Sequence, residues 1–350
     1  MKKTMSMIAA LVALTATAVA MSGCTAAPAP TTSASAPTQS TKLTVVTHDS
    51  FNLDKKTIAA FKAQTGYEVT FVAPGDAGTV VNQLVLTKDS PLGDVVYGID
   101  NTFAARAIDA GVLSPYTSPA LPASAKAFTA DVADQLTPVD YGDVCINADT
   151  TWFAAKKLAV PQTLDDLLKP EYKGLLVVAS PATSSPGLAF LMATIAAKGE
   201  AGYLDYWTAL KSNGVKVVKG WTEAYTVEFS GSSGKGARPL VLSYSSSPAF
   251  EPKTENLNQT CFRQVEYAGV IAGAQNEVGA RAFIDFMLSH DVQAQIPEQM
   301  YMYPVDSSVT LPADWAKKAA KVDAPFSLPS AQINANRDKW IKAWTAAVVG

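Results

Sequence analysis

From Leu43 onward, short apolar runs alternate with stretches of helical periodicity. Leu43–Thr47 predicts a strand ending in His48-Asp49-Ser50-Phe51, and Lys55–Thr65 predicts a helix with Ile58 and Phe61 inward and Gly66 as its stop. Tyr67–Val72 reads as a second strand. The loop Pro74 to Thr79 then opens a helix carrying Val80, Leu84 and Leu86, and Asp94–Gly98 is a third strand running into Ile99-Asp100-Asn101. A β-α-β-α-β order calls for a parallel sheet whose ligand-facing loops lie at the strand C-termini. Each such turn carries a polar cluster: Asp49-Ser50, Asp76 to Thr79, and Asp100-Asn101.

The middle of the chain repeats this logic. Leu175–Ala179 is a buried strand, followed by Ser180 to Gly187 and a helical face of Leu188, Leu191, Met192 and Ile195. Ser184 or Ser185 is the N-cap and Pro186 a first-turn proline, so free N–H groups and hydroxyls converge where a helix attracts anions. Plain capping explains an isolated Ser-Ser-Pro as well, but the neighbouring strand ends favour a site. Val215–Val218 leads into Lys219 to Tyr225, and Leu240–Ser243 into Tyr244 to Phe250, each placing aromatics and hydroxyls after a strand. Trp221 or Tyr244 alone fits a core; together they read as a cleft wall.

The first 24 residues are an address. Lys2 and Lys3 precede an apolar stretch from about Met7 to Met21, and Met21-Ser22-Gly23-Cys24 reads as a lipobox in which Cys24 is acylated, the alternative being an ordinary signal that leaves Cys24 free. Thr25–Thr41 contains only Thr, Ala, Pro, Ser and Gln. At about 3.1 Å per residue such a tether reaches roughly 50 Å. Two acyl chains give the stable anchoring that one does not. Cleavage after residue 23 leaves 26 basic against 31 acidic residues, net −5, and no basic cluster, which argues against nucleic acid as partner. With Cys24 acylated, Cys145 and Cys261 remain as one pair in an oxidising compartment, where a disulfide is expected; two distant buried thiols are the alternative.

With 350 residues, 48% hydrophobic and 17% charged, the chain has material for two lobes and a real core. Two histidines, His48 and His290, and three cysteines exclude Cys/His zinc sites and most multi-histidine metal centres. No Gly-x-Ser-x-Gly elbow occurs. Ser233-Gly234-Lys235-Gly236 fails as a phosphate loop, because Phe229 stands where the first glycine belongs and no Ser or Thr follows Lys235. Binding without catalysis, metal or cofactor is therefore expected.

The ordered segments His48 to Phe51, Tyr97 to Asn101, Asp140-Tyr141-Gly142, Thr183 to Gly187, Lys219 to Tyr225, Leu242 to Phe250 and Met302 to Val305 resemble the thiamine-binding solute-binding proteins of bacterial ABC importers. The resemblance implies an α/β, two-lobed periplasmic-binding-protein fold of type II, with parallel-rich sheets and a ligand cleft between lobes. It implies a monomeric carrier of thiamine or its phosphate esters, delivering to ABC permease and ATPase subunits, held by lipid on the extracytoplasmic face of the membrane. Ferric ion or polyamine is the alternative cargo, although Tyr244 is followed by Ser245 rather than by a second tyrosine. A secreted hydrolase is a more distant alternative.

The expected first lobe is 42–141 plus about 268–305, and the second about 147–261 plus about 306–350. Crossing segments near Tyr141–Asn147 and Phe262–Gly269 join them, each lobe having its own sheet, and carry Cys145 and Cys261 side by side, with Cα atoms about 4.4–6.8 Å apart. The helix Val278–Leu288, with Ala282, Phe283, Phe286 and Met287 inward, belongs to the first lobe, and the C-terminal helix buries Ile333, Trp340, Ile341 and Trp344. Thr183, Ser184, Ser185, Trp221 and Tyr225 are expected around the phosphate or hydroxyethyl end. Tyr244, Phe250 and Tyr301 supply ring faces, and Asp49, Ser50, Asp76, Asp100 and Asp140 supply charge and hydrogen bonds. The sequence departs from the family pattern at Phe250, at Tyr301 in place of Trp, and at His48 in place of Tyr.

Overall fold

The structure, a computed structural model, describes residues 40–350 apart from 130, 131, 133 and 320. The signal segment, Cys24 and all but the end of the tether lie outside the described residues. Ten strands follow one another: β1 (Lys42–His48), β2 (Glu68–Gly75), β3 (Val95–Asp100), β4 (Leu113–Ser114), β5 (Thr137–Asp149), β6 (Leu176–Ala179), β7 (Lys216–Val218), β8 (Leu240–Tyr244), β9 (Thr254–Ile271) and β10 (Tyr303–Pro304). Their order is β2-β1-β3-β9-β5-β8-β6-β7, with β4 on β9 and β10 on β5.

Two parallel groups, β2-β1-β3 and β8-β6-β7, flank an antiparallel central pair, β9 and β5. The two expected sheets are thus one continuous ladder. The physical reason is the length of the crossing segments. At about 3.3 Å per residue the 18-residue β9 reaches across both groups, pairing with β3 at one end and with β5 along much of its length. The β5–β9 register shifts between Pro138 and Asp140 and again between Val144 and Ile146, irregularities that bend and twist a ladder. Beside the second shift, Cys145 and Cys261 form the disulfide, with Cα atoms 4.2 Å apart, just closer than expected.

The helices follow their local signals. Lys55–Thr65 starts at Asp54, whose side chain accepts from Lys56 N, and ends at Gly66 in the left-handed region. Phe61 is buried and Ile58 half-buried. Ala77–Leu86 buries Val80 and Leu84, but Leu86 is 77% exposed rather than inward. Ser185–Ser212 is capped by Ser184 and kinks at Gly199. Glu277–Met287 packs Ala280, Phe283, Ile284 and Met287 on the face of β1 and β3, beside Phe61; Ala282 and Phe286 are only half-buried. In Ser330–Val348, Trp344 meets Trp207 edge-on at 5.3 Å, which fixes this helix to Ser185–Ser212. Ile333 and Trp340 are buried with it, and Ile341 is half-buried.

Candidate ligand site

The C-terminal end of β1, the N-termini of helices Ala77–Leu86 and Ser185–Ser212, the short helix Trp221–Glu223, the end of β8 and the middle of β9 converge on one cleft. Its inner chamber has a volume of about 60 Å³ and is walled by His48, Asp76, Ser185, Trp221, Tyr244, Glu266 and Tyr301, with Ser50, Pro186, Ser247 and the segment Gln299–Met302 around them. An outer cavity of about 310 Å³ shares Ser50, Trp221, Ser247 and Tyr301 with it, and adds Asp49, Thr222, Tyr225, Ser232, Phe250 and Glu251. Among the described residues no Lys or Arg lines either cavity.

The inner charge comes from neighbouring strands. Asp100, Glu266 and Asp140 stand opposite one another on β3, β9 and β5. The Tyr97 hydroxyl bridges Asp140 Oδ2 and Glu266 Oε2, 2.9 Å from the latter. Gln264 Nε2 donates to Glu266 Oε1 at 3.0 Å. Burial and the adjacent Glu266 hold Asp140 well above the usual carboxylate range. Burial pushes Glu266 upward too, but the attraction of His48 and hydrogen bonds to its carboxylate more than offset this, and its pKa falls below the ordinary value. Glu266 is the ionised partner, and it faces the chamber.

Asp76 resolves the anion-site expectation in an unexpected way. Its Oδ1 accepts from Ala77 N at 2.7 Å and from Ser185 N at 3.3 Å, and its Oδ2 from Trp221 N at 2.9 Å. The carboxylate therefore occupies the place where an anion would meet the Ser185–Ser212 helix end. Burial raises its pKa, and these N–H groups pull the other way. Ser185 Oγ donates to Asp100 Oδ2. Asp100 also caps Thr102 and Phe103, and burial pushes its pKa up to about 6 against the hydroxyl and N–H donors around it. Across the outer cavity Thr222 Oγ1 donates to Asp49 Oδ1 at 3.2 Å. Thr79 N reaches Thr183 O at 3.1 Å, an approach that Gly78 permits, since a Cβ there would lie 2.7 Å from the Thr183 backbone.

Aromatic faces line both cavities. Trp221 stacks on Tyr225 at 4.9 Å, donates from Nε1 to Ser243 Oγ at 2.9 Å, and lies 6.4 Å from Tyr244. Tyr301 sits at φ 60°, a left-handed conformation uncommon for a bulky residue and a reason to ask about function. Its carbonyl accepts from Ser246 Oγ at 2.5 Å, and its ring packs on Phe250.

Of the residues picked from the sequence, Ser50, Asp76, Ser185, Trp221, Tyr244 and Tyr301 wall the inner chamber, and Asp49, Tyr225 and Phe250 the outer cavity. Four do not reach either. Asp100 and Asp140 are fully buried behind the chamber, Ser184 is fully buried with Oγ accepting from Gly187 N and hydrogen-bonded to Asp76, and Thr183 has its Oγ1 on Lys219 O at 2.6 Å. Glu266 escaped the sequence reading. Its one signal is an acid inside the apolar run Val265-Glu266-Tyr267-Ala268.

The description of bacterial extracellular solute-binding proteins matches residues 90–333. The chain belongs to this family. It is 32% identical over 326 residues to the thiamine-binding periplasmic protein of Escherichia coli (strain K12), covering 87% of this chain and 93% of the relative. The thiamine-binding periplasmic protein of Brucella abortus biovar 1 (strain 9-941) is 30% identical, with 87% and 92% covered. A solved periplasmic thiamin binding protein superposes with a TM-score of 0.76 at 29% identity, covering 88% of this chain and 96% of that one. This solute-binding protein has the two-lobed type II periplasmic-binding fold. Among the described residues no helix is long and apolar enough to cross a membrane.

Proposed function

We propose that this protein captures thiamine or its phosphate esters outside the cytoplasm and delivers them to the membrane subunits of an ABC importer. The observation that carries this reading is the inner chamber: the carboxyl groups of Glu266 and Asp76 beside the rings of Trp221, Tyr244 and Tyr301, with no Lys or Arg among the described residues that line it. A fixed-charge thiazolium joined to an aminopyrimidine needs carboxylates near the cation, π faces, and hydrogen-bond partners at the pyrimidine edge. Ser50, Gln299 and Ser247 supply polar edges there. The thiamine-binding names of its relatives support the same cargo.

A chamber of about 60 Å³ has room for a few waters and not for two rings. Cargo entry therefore requires the lobes to part, breaking the Asp76, Ser185–Asp100 and Thr222–Asp49 contacts, and closure restores them around the ligand. The rings and carboxylates belong to the cation and pyrimidine; the hydroxyls of Thr222, Tyr225 and Ser232 in the outer cavity belong to the hydroxyethyl or phosphate end. The lobes comprise 42–141 plus about 268–305, and about 147–261 plus about 306–350, with β5 and β9 as the hinge strands. The protein works as a monomeric carrier without turnover, anchored through acylated Cys24. Mass spectrometry of the small molecule that co-purifies with the chain tests the cargo: thiamine or a thiamine phosphate supports it, and ferric ion or a polyamine overturns it.

A further inference from the structure

His48 is buried on the chamber wall, and Gly98 makes room for it: φ at Gly98 is +97°, and a Cβ there would lie 2.2 Å from His48 Cδ2. Ser50 Oγ sits 2.9 Å from Nδ1 and, as a hydroxyl, serves either protonation state of the ring. Nε2 is buried and, among the described residues, has no hydrogen-bond partner; its nearest charge is Glu266 Oε2 at 3.7 Å. The groups facing it are Glu266 from β9, Asp76 from the cap of the helix Ala77–Leu86, Asp49 from its own turn and the Tyr97 ring of β3 at 5.6 Å, with Asp140 of β5 behind Tyr97. Among the described residues, a protonated His48 is thus the one side-chain cation that the lining of this acidic chamber offers.

We infer that the His48 proton and a cationic cargo compete for Glu266, so that a proton leaves the cleft for solvent as the cargo enters. This rests on the cation-binding reading given above. Burial draws His48 toward neutrality, but Glu266, Asp76 and Asp49 outweigh it and raise its pKa above 6.5. The empty chamber thus favours the protonated ring more than water does. A thiazolium beside Glu266 both repels the imidazolium and takes over its counter-charge. Affinity for thiamine then rises by up to about tenfold per pH unit through the range in which His48 titrates, and levels off above it.

Calorimetry of thiamine binding to the full chain, repeated in buffers of different ionisation enthalpy at neutral pH, counts the protons released. A substantial fraction of one proton per thiamine is expected, lost in His48→Gln. The chain has only two histidines, so imidazole NMR of the unaltered protein gives an independent readout. The His48 titration should shift to lower pH by about a unit or more with thiamine bound. Thiamine binding with the His48 titration unmoved and no proton released overturns this inference alone. Absence of thiamine binding at every pH overturns the cargo assignment together with it.

Discussion

The inner chamber and the outer cavity share a wall but differ in physics. Inside, Glu266, His48 and Asp76 are withdrawn from water, and His48 and the two acids favour one another's charged forms. Outside, Asp49 and Thr222 meet in solvent, and hydroxyls dominate. A charge in the first region acts at low dielectric and cannot be removed without leaving a partner uncompensated; one in the second is screened. Recognition of a cation thus belongs to the inner region, and adaptation to the rest of the cargo to the outer.

The largest effect should come from Glu266→Gln. Removing one member of a buried pair typically costs about 3–5 kcal/mol, and here it also removes the counter-charge for the cation. Because the folded pKa of His48 is raised, the pair's contribution is fully present below the unfolded histidine value and is lost as pH rises through the folded one. Urea denaturation should accordingly show a large deficit for Glu266→Gln at pH 6 and a smaller one at pH 9. An equal deficit at both would separate His48 from Glu266. Tyr244→Ala comes next: loss of a desolvated ring face over a cation, worth about 1–2 kcal/mol, should weaken thiamine and its monophosphate alike, by roughly five- to thirtyfold in titrations.

Asp76→Asn sharpens the boundary between the regions. The carboxylate already fills the helix-end anion position, so neutralising it should weaken thiamine while favouring the monophosphate relative to it by several-fold in paired titrations. An unchanged ratio would place the phosphate far enough out in the outer cavity to be beyond the reach of the Asp76 charge. Ser184→Ala should have the smallest effect on binding. As an N-cap it contributes about 1 kcal/mol to stability, visible in denaturant midpoints, and since it lines neither cavity the two ligands should be affected equally.

The β-α-β-α-β start, the Ser184 cap and the Gly66 stop were legible because each depends on residues close in sequence. The Cys145–Cys261 bridge was legible once Cys24 was set aside, since one pair remained. Glu266 was not, because its role is made by cross-strand register with Asp100 and Asp140, which no local pattern encodes. The filling of the anion position by Asp76 was hidden for the same reason: Trp221 N lies 145 residues away along the chain. The merging of two expected sheets into one came from pairing between β5 and β9, a tertiary choice by segments that read only as connections.

The central claim is that the inner chamber takes a cation with an aromatic ring. A single calorimetric series with thiamine, spermidine and ferric ion on the purified chain tests it most directly. Saturable one-to-one binding of thiamine, much tighter than of either competitor, is the predicted result. Tight binding of ferric ion or spermidine with no heat from thiamine would contradict it.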